Sequence, residues 1–280
     1  MTPLRNGSRV GVYVDVANIY SNGGHKMQYD VLRLFACRDG GEAIRLNAYV
    51  TFDAARATHD ETYETKTSNF YSALRDLGYK VIVKEVRWYV DESGNRYGKA
   101  NADLDLGVDA LLQSEKLDRV LIVSGDGDFT RVVSALQNKG CRVEVVALDN
   151  SSSKLRQSAD MYYSGYLIPN LIPTNTNGDR ERETDWGDIS SRVRGWCYWH
   201  SEQGFGFFRY LKRIAPGLWL TDTRHPDSPY GTAYFHDTTL PDNVNPTVLP
   251  NRNYIFEFDL EESDRGGGVK ATNLRVSSRP

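Results

Sequence analysis

The run Val120-Leu121-Ile122-Val123-Ser124-Gly125-Asp126-Gly127-Asp128-Phe129 constrains this chain more than any other stretch. Its four leading residues are apolar and mostly β-branched, the composition of a strand buried on both faces of a parallel sheet. Ser-Gly-Asp-Gly-Asp is turn chemistry. From Phe129 to Lys139 the apolar residues Val132, Val133 and Leu136 recur at helical spacing until Gly140 stops the helix. A strand, a tight turn and a helix therefore follow one another, with Asp126 and Asp128 at the strand's C-terminal end. Ligands bind at that end of open α/β sheets. One aspartate would be explained as a helix cap. Two, with glycines beside them, call for a site.

The same pattern recurs upstream. Arg9 to Asp15 is a short apolar run ending in an acid, with Asn18 on the turn or first helical turn beyond it. Tyr29 to Phe35 predicts a short helix, Ala43 to Phe52 a second strand, Ala57 to Leu77 a helix closed by Gly78, and Lys80 to Val90 a third strand. Asp91-Glu92-Ser93-Gly94-Asn95 is a turn cluster, and Asn101 to Gln113 predicts a helix carrying Asp103, Asp105 and Asp109. The run at Val120 is then the fourth strand, Arg142 to Leu148 the fifth and Met161 to Leu167 the sixth. Strands alternating with helices imply βαβ units and a mostly parallel, doubly wound sheet. If the first and fourth strands are neighbours where the winding reverses, Asp15 meets Asp126 and Asp128 in a cleft. Asp103, in the first turn of its helix, suits the helix dipole and can lean over the sheet edge. Asp105 reads as part of a solvated face. Asp109 sits on a different face from Asp103, because six residues is not a whole number of turns.

Val12-Tyr13-Val14-Asp15-Val16-Ala17-Asn18, Lys99-Ala100-Asn101-Ala102-Asp103 through Val108-Asp109, and Ser124-Gly125-Asp126-Gly127-Asp128-Phe129 together resemble the NYN domains, relatives of the PIN nucleases. All three signatures stand in the family's order. The resemblance implies a small doubly wound sheet and a metal-dependent ribonuclease. It places the family's strand-end aspartate on Asp15, its asparagine on Asn18, its helix-start aspartate on Asp103 with a second acid on Asp109, and its paired acids on Asp126 and Asp128. The family lysine stands three residues before the helix aspartate, whereas Lys99, the candidate phosphate contact, stands four before it.

The chemistry is consistent with that resemblance. Carboxylates crowded into one cleft repel one another and need a cation to stay ionised. Oxygen ligands without His or Cys select Mg²⁺ or Mn²⁺. Such ions activate water, hold a phosphate oxygen and stabilise the leaving oxygen in line. A rival resemblance starts from the same turn. Asp126-Gly127-Asp128-Phe129-Thr130 matches the Asp-x-Asp-x-Thr pattern of haloacid-dehalogenase-like phosphatases. There the first Asp follows the strand directly and a second acidic motif comes later; here Ser124-Gly125 intervene and no such motif follows.

Lys plus Arg number 34 against 37 for Asp plus Glu, a net charge of -3, so nothing overall announces a polyanion partner, although a local basic strip can still bind one. Cys37, Cys141 and Cys197 are too scattered for a disulfide framework or a zinc knuckle, which favours a reducing, cytoplasmic setting. Met1 to Arg9 lacks the apolar core of a signal peptide, and no stretch is long enough to span a membrane.

Beyond Pro169 the texture changes. Asn, Thr, Gly, Asp, Arg and Glu dominate from Thr174 to Asp185, which reads as a flexible linker. Then come short aromatic strands: Trp196 to His200, a turn at Ser201 to Gly204, Phe205 to Phe208, Trp219 on a further strand, Ala233 to His236, Asn253 to Leu260 and Lys270 to Val276. Phe205 and Phe207 share one face, as do Tyr234 and His236. Five or so short strands suggest a small barrel, too small to hide every ring. Exposed rings in a row stack bases, worth on the order of 1–3 kcal/mol each. Gly195 to Val276 resembles a cold-shock domain, an OB-type barrel that binds single-stranded RNA or DNA. Gly204 to Phe208 looks like its first ribonucleoprotein motif, Tyr234-Phe235-His236 like its second, and Trp199 like its first-strand tryptophan. That resemblance implies a stacking face of Trp199, Phe205, Phe207, Tyr234 and His236. The usual lysine before Gly-Phe-Gly-Phe is Gln203, which predicts stacking-dependent binding with a shallow salt dependence.

The expectation is therefore an α/β, PIN-like domain over residues 8–168, a linker over 169–191 and an all-β, OB/cold-shock-like barrel over 192–278. The expected function is a metal-dependent ribonuclease, most naturally an endonuclease, whose barrel holds single-stranded RNA or DNA. PIN-like domains often pair, which leaves room for a homodimer. The alternative is a catalytically inactive RNA-binding adaptor or regulatory protein.

Overall fold

The computed structural model describes residues 7–174, 186–263 and 267–279, with the Lys99 side chain outside the described residues. It divides into two compact units, one of residues 1–25 and 32–163 and the other of residues 26–31 and 164–280.

The first unit contains strands β1 (Arg9–Asp15), β2 (Glu42–Phe52), β3 (Lys80–Glu85), β4 (Arg87–Val90), β5 (Arg96–Lys99), β6 (Arg119–Val123), β7 (Arg142–Ala147) and β8 (Met161–Ser164). The α-helices in chain order are α1 (Val16–Ile19), α2 (Tyr29–Ala36), α3 (Ala54–Ala57), α4 (Glu61–Asp76), α5 (Ala102–Gln113), α6 (Thr130–Asn138) and α7 (Ser153–Ser158). The six-stranded sheet runs β3-β2-β1-β6-β7-β8, and the pairs from β3 to β7 are parallel. Winding reverses between β1 and β6, so the first and fourth predicted strands are neighbours, Val14 opposite Val123. Both faces of these strands are dry. Val12, Val14, Leu121 and Val123 are fully buried on one side, and Tyr13, Val120 and Ile122 on the other. The latter face packs on Leu106 and Ala110 of α5 and on Val133 and Leu136 of α6. A strand buried this way has to be apolar throughout rather than alternating.

Three expected elements are redrawn. The predicted third strand is two, because β2 ends at Phe52, opposite Glu85, and Val86 N–H makes the last contact, to Phe52 O at 2.9 Å. With no neighbour left, the chain pairs with itself as the antiparallel β4–β5 hairpin. The predicted helix from Ala57 to Leu77 is α3 and α4, divided where the Asp60 carboxylate accepts from Tyr63 N–H at 2.9 Å and starts a new helix. The last predicted strand stops at Ser164 in a 3₁₀ turn over Gly165–Leu167.

The second unit is a closed five-stranded barrel of β9 (Arg192–Ser201), β10 (Phe205–Leu211), β11 (Tyr230–His236), β12 (Asn251–Glu262) and β13 (Val269–Ser278), in the order β10-β11-β13-β12-β9. Phe208 stacks on Phe235 at 4.2 Å and meets Phe256 and Phe258 at 4.9 Å inside it. Gly206 has no room for a side chain: a Cβ there would meet the Phe235 ring at 2.7 Å and Trp199 O at 2.8 Å. Trp219 is not on a strand. It lies in the connection between β10 and β11 and is 75% exposed, while neighbouring Leu218 is buried and its carbonyl accepts from the Tyr230 hydroxyl at 2.9 Å.

Of the expected linker, residues 175–185 lie outside the described residues. Its flanks are packed: Leu171 and Ile172 are buried, and the Trp186 indole N–H donates to Leu211 O at 2.7 Å. Arg194 ties Ile172 O and Pro173 O to the barrel at 2.7 and 2.8 Å. Among the described residues no helix is long and apolar enough to cross a membrane.

Candidate functional site

At the C-terminal ends of β1 and β6 the two predicted strand-end motifs meet. Asp15, only 3% exposed, caps α1: its Oδ1 accepts from Asn18 N–H at 3.0 Å and its Oδ2 from the Ser124 hydroxyl at 3.1 Å. Asn18 Oδ1 accepts from Gly125 N–H at 2.9 Å, clasping the turn after β6 from the β1 side. Ser124 Oγ in turn accepts from Asp126 N–H at 3.2 Å, and Asp126 Oδ1 from Asp128 N–H at 2.9 Å. Asp126 is half-buried and Asp128 exposed. The cap expected of an aspartate in this turn is thus made, by Asp126 on the 3₁₀ turn Gly127–Phe129. Gly125 lets this turn lie close to its neighbour, since a Cβ would stand 3.1 Å from Ser151 Cα.

Burial pushes the Asp15 carboxyl up to about 6; the bonds from Asn18 and Ser124 oppose that shift, and the charges of Asp103 and Asp126 add to it. Asp103, exposed in the first turn of α5, is raised too, by partial desolvation and then by Asp126 and Asp128. Asp15, Asp103, Asp126 and Asp128 therefore act on one another as a single electrostatic cluster. Each gains from an added cation.

The donor set is carboxylate, hydroxyl and amide oxygen, which suits a hard divalent cation. Among the described residues no three His, Cys, Asp or Glu side chains are arranged to hold a metal ion by themselves.

Asp109 is placed elsewhere. Its Oδ2 accepts from the Tyr49 hydroxyl at 2.8 Å, and Tyr49 also accepts from Asn47 Nδ2 at 3.0 Å. Six residues along α5 rotate it roughly 240° from Asp103, toward the core rather than the cleft. Asp105, read as solvated, is ion-paired with Lys84 Nζ at 2.6 Å. Lys99 ends β5, and its side chain lies outside the described residues. Ser124 is the residue linking the two strand ends that the sequence left without a role. Its only signal was its place between a buried strand and an acidic turn.

On the barrel, Phe207 lies opposite Trp199 on one side and Tyr234 on the other, and Phe205 lies opposite His236. Ring centroids are 5.5 Å apart for Trp199–Phe205, 5.8 Å for Trp199–Phe207, 5.9 Å for Phe205–Tyr234 and 5.8 Å for Phe207–Tyr234. These four rings form one outward patch, with Trp199 exposed and the other three half-buried, and the exposed His236 stands beside Phe205. A bulge between Phe207 and Phe208 skips Tyr198 in the register with β10, where the Arg209 guanidinium lies 4.2 Å over its ring, and sends Cys197 into the core. His236 Nδ1 accepts from Thr238 N–H at 3.3 Å, which holds the imidazole as a plate at the patch edge.

Residues 9–168 match the NYN domain family. Low amplitude and bright protein LabA of Synechococcus elongatus is 33% identical over 162 residues, covering 55% of this chain and 82% of LabA. A crystal structure of a protein of unknown function from Vibrio parahaemolyticus is similar with a TM-score of 0.46 at 24% identity, covering 57% of this chain and 94% of that one.

Proposed function

The chain belongs to the NYN domain family, and from that premise we propose that its first unit is a metal-dependent ribonuclease and its barrel a cold-shock-like holder of single-stranded RNA. The observation that carries the reading is the cluster of Asp15, Asp103, Asp126 and Asp128 at the reversal of the sheet, where burial and mutual repulsion leave negative charge to be neutralised. Asp15, Asp103, Asp126 and Asp128 are the residues that would hold the cation. When bound, a divalent ion lowers the pKa of water and offsets charge on the reacting phosphate. The chain's own part is positional. Ser124 and the Asn18 N–H fix the Asp15 carboxylate, Asn18 fixes the turn that carries Asp126, and Asp103 and Asp128 are the exposed members of the cluster that an incoming phosphodiester would meet.

The barrel patch contributes local concentration. A strand stacked on Trp199, Phe207 and Tyr234 is tethered to the nuclease unit by the chain itself, which raises its local concentration without tight binding by that unit. A second reading is favoured by Asp15, whose two oxygens already accept from Asn18 N–H and the Ser124 hydroxyl within the fold. It is an RNA-binding adaptor that has kept the fold and lost turnover.

Cleavage of labelled single-stranded RNA in Mn²⁺ by the intact protein and by Asp126→Asn decides between them. Cutting that disappears in the variant while RNA affinity persists supports the ribonuclease. Binding by both proteins with no cutting of several unrelated RNAs supports the adaptor.

A further inference from the structure

The β4–β5 hairpin, which the sequence suggested only as part of a strand and a turn, has two unlike faces. On one, the Trp88 indole N–H donates to Asp53 Oδ1 at 3.2 Å, and the Arg96 guanidinium lies 4.6 Å over the indole ring. Gly98, opposite Trp88, is hemmed in there, since a Cβ would meet Val86 at 2.8 Å. That face anchors the hairpin. On the other face Tyr89 and Tyr97 stand directly opposite each other, rings 5.8 Å apart and 27° from parallel, at 43% and 49% exposure. They line a cavity of about 480 Å³ together with Lys84, Glu85, Arg87 and Asn101. That volume is within the ~300–1,000 Å³ typical of ligand pockets.

We propose that this face is a second contact for single-stranded RNA, in which bases stack on Tyr89 and Tyr97 and Arg87 meets the backbone. Flat, half-exposed rings are the sequence-tolerant platform that bases prefer. Among the described residues that line the cavity, the cations are Arg87 and Lys84, the latter paired with Asp105 at 2.6 Å, and the lining carboxylate is that of Glu85. Asn101 closes the cavity and immediately precedes α5, whose first turn carries Asp103. A strand lying across the tyrosines is thus led toward the acidic cluster. The inference rests on the ribonuclease reading for that direction alone; the contact itself is a binding site.

The test uses the full chain in chelator, so that cleavage plays no part. A short fluorescent oligouridine is titrated into protein carrying Trp199→Ala and Phe207→Ala, which weakens the barrel patch, with and without Tyr89→Ala and Tyr97→Ala. The hairpin substitutions are expected to lower affinity about tenfold, and 4-thiouridine crosslinks in the parent protein should map to Tyr89 or Tyr97. The pair Tyr89→Phe and Tyr97→Phe keeps the rings and should retain binding, which separates stacking from any damage to the hairpin. Unchanged affinity in the alanine variant, or loss of binding in the phenylalanine variant, would overturn the proposal. Protein that binds through the hairpin yet never cuts in Mn²⁺ would sink the ribonuclease reading and leave this contact standing.

Discussion

The Ser124 hydroxyl donates to Asp15 Oδ2 at 3.1 Å, joining the ends of two neighbouring strands 109 residues apart in the chain. Ser124 also accepts from Asp126 N–H, so one side chain sets both a buried carboxylate and the turn beside it. Ser124→Ala leaves the carboxylate short of a donor and the amide short of an acceptor. We expect a loss of about 1–3 kcal/mol of stability, the cost of unsatisfied buried polar groups. Cleavage should fall further than stability accounts for, which parallel unfolding and activity measurements will read. Unaltered stability and activity would show that water replaces the hydroxyl.

Asp15 carries a stability cost that its replacement should relieve. Burial pushes its carboxyl up to about 6 in the folded chain, against about 3.9 when unfolded. An acid raised in this way favours the folded state below the unfolded pKa, and that contribution is lost as pH rises through the folded pKa. In chelator, wild type should therefore lose stability between roughly pH 4 and pH 6, while Asp15→Asn should not show this slope. At pH 7 the variant should be more stable by about 1–3 kcal/mol, at ~1.4 kcal/mol per pKa unit, and inactive in Mn²⁺. Thermal unfolding across pH with both proteins checks it; parallel curves would refute the raised carboxyl.

The barrel patch should bind by stacking rather than by charge. Phe207 touches both Trp199 and Tyr234, so Phe207→Ala should weaken binding of single-stranded RNA by about ten- to a hundredfold. The dependence of affinity on salt should remain shallow and nearly unchanged, because no phosphate contact is removed. A variant that binds normally, or one whose salt slope collapses, would place the RNA elsewhere on the barrel.

Glu257 should be indispensable to the barrel. Its two oxygens accept from Arg192 Nε at 2.7 Å and Arg194 Nε at 2.8 Å, and all three side chains are buried. Glu257→Gln removes the negative charge from between two buried guanidinium groups, a change expected to cost about 3–5 kcal/mol. Urea unfolding followed by tryptophan fluorescence reads this unit well, since four of the five tryptophans lie in it. A midpoint equal to wild type would mean that the arginines find other partners.

Period and composition are local, so most strands of the sheet and barrel are legible along the chain, whereas the break between β3 and β4 and the loop position of Trp219 are not. Residues 120–123 could only be a doubly buried strand, and Phe205, Phe207 and Tyr234 could only fall on one side of their pleats. The sequence by itself also determined that Asp15 and Asp126 end their strands. Tertiary structure alone decided that those ends are neighbours, because strand order is set by how helices cover the sheet. It also decided that Asp109 turns to Tyr49, that Ser124 is the link between strands, and that Arg87–Val90 leaves the sheet where β2 ends. Each of those outcomes depends on which group stands opposite across space. A pattern along the chain carries that information only when both partners lie within a few residues of one another.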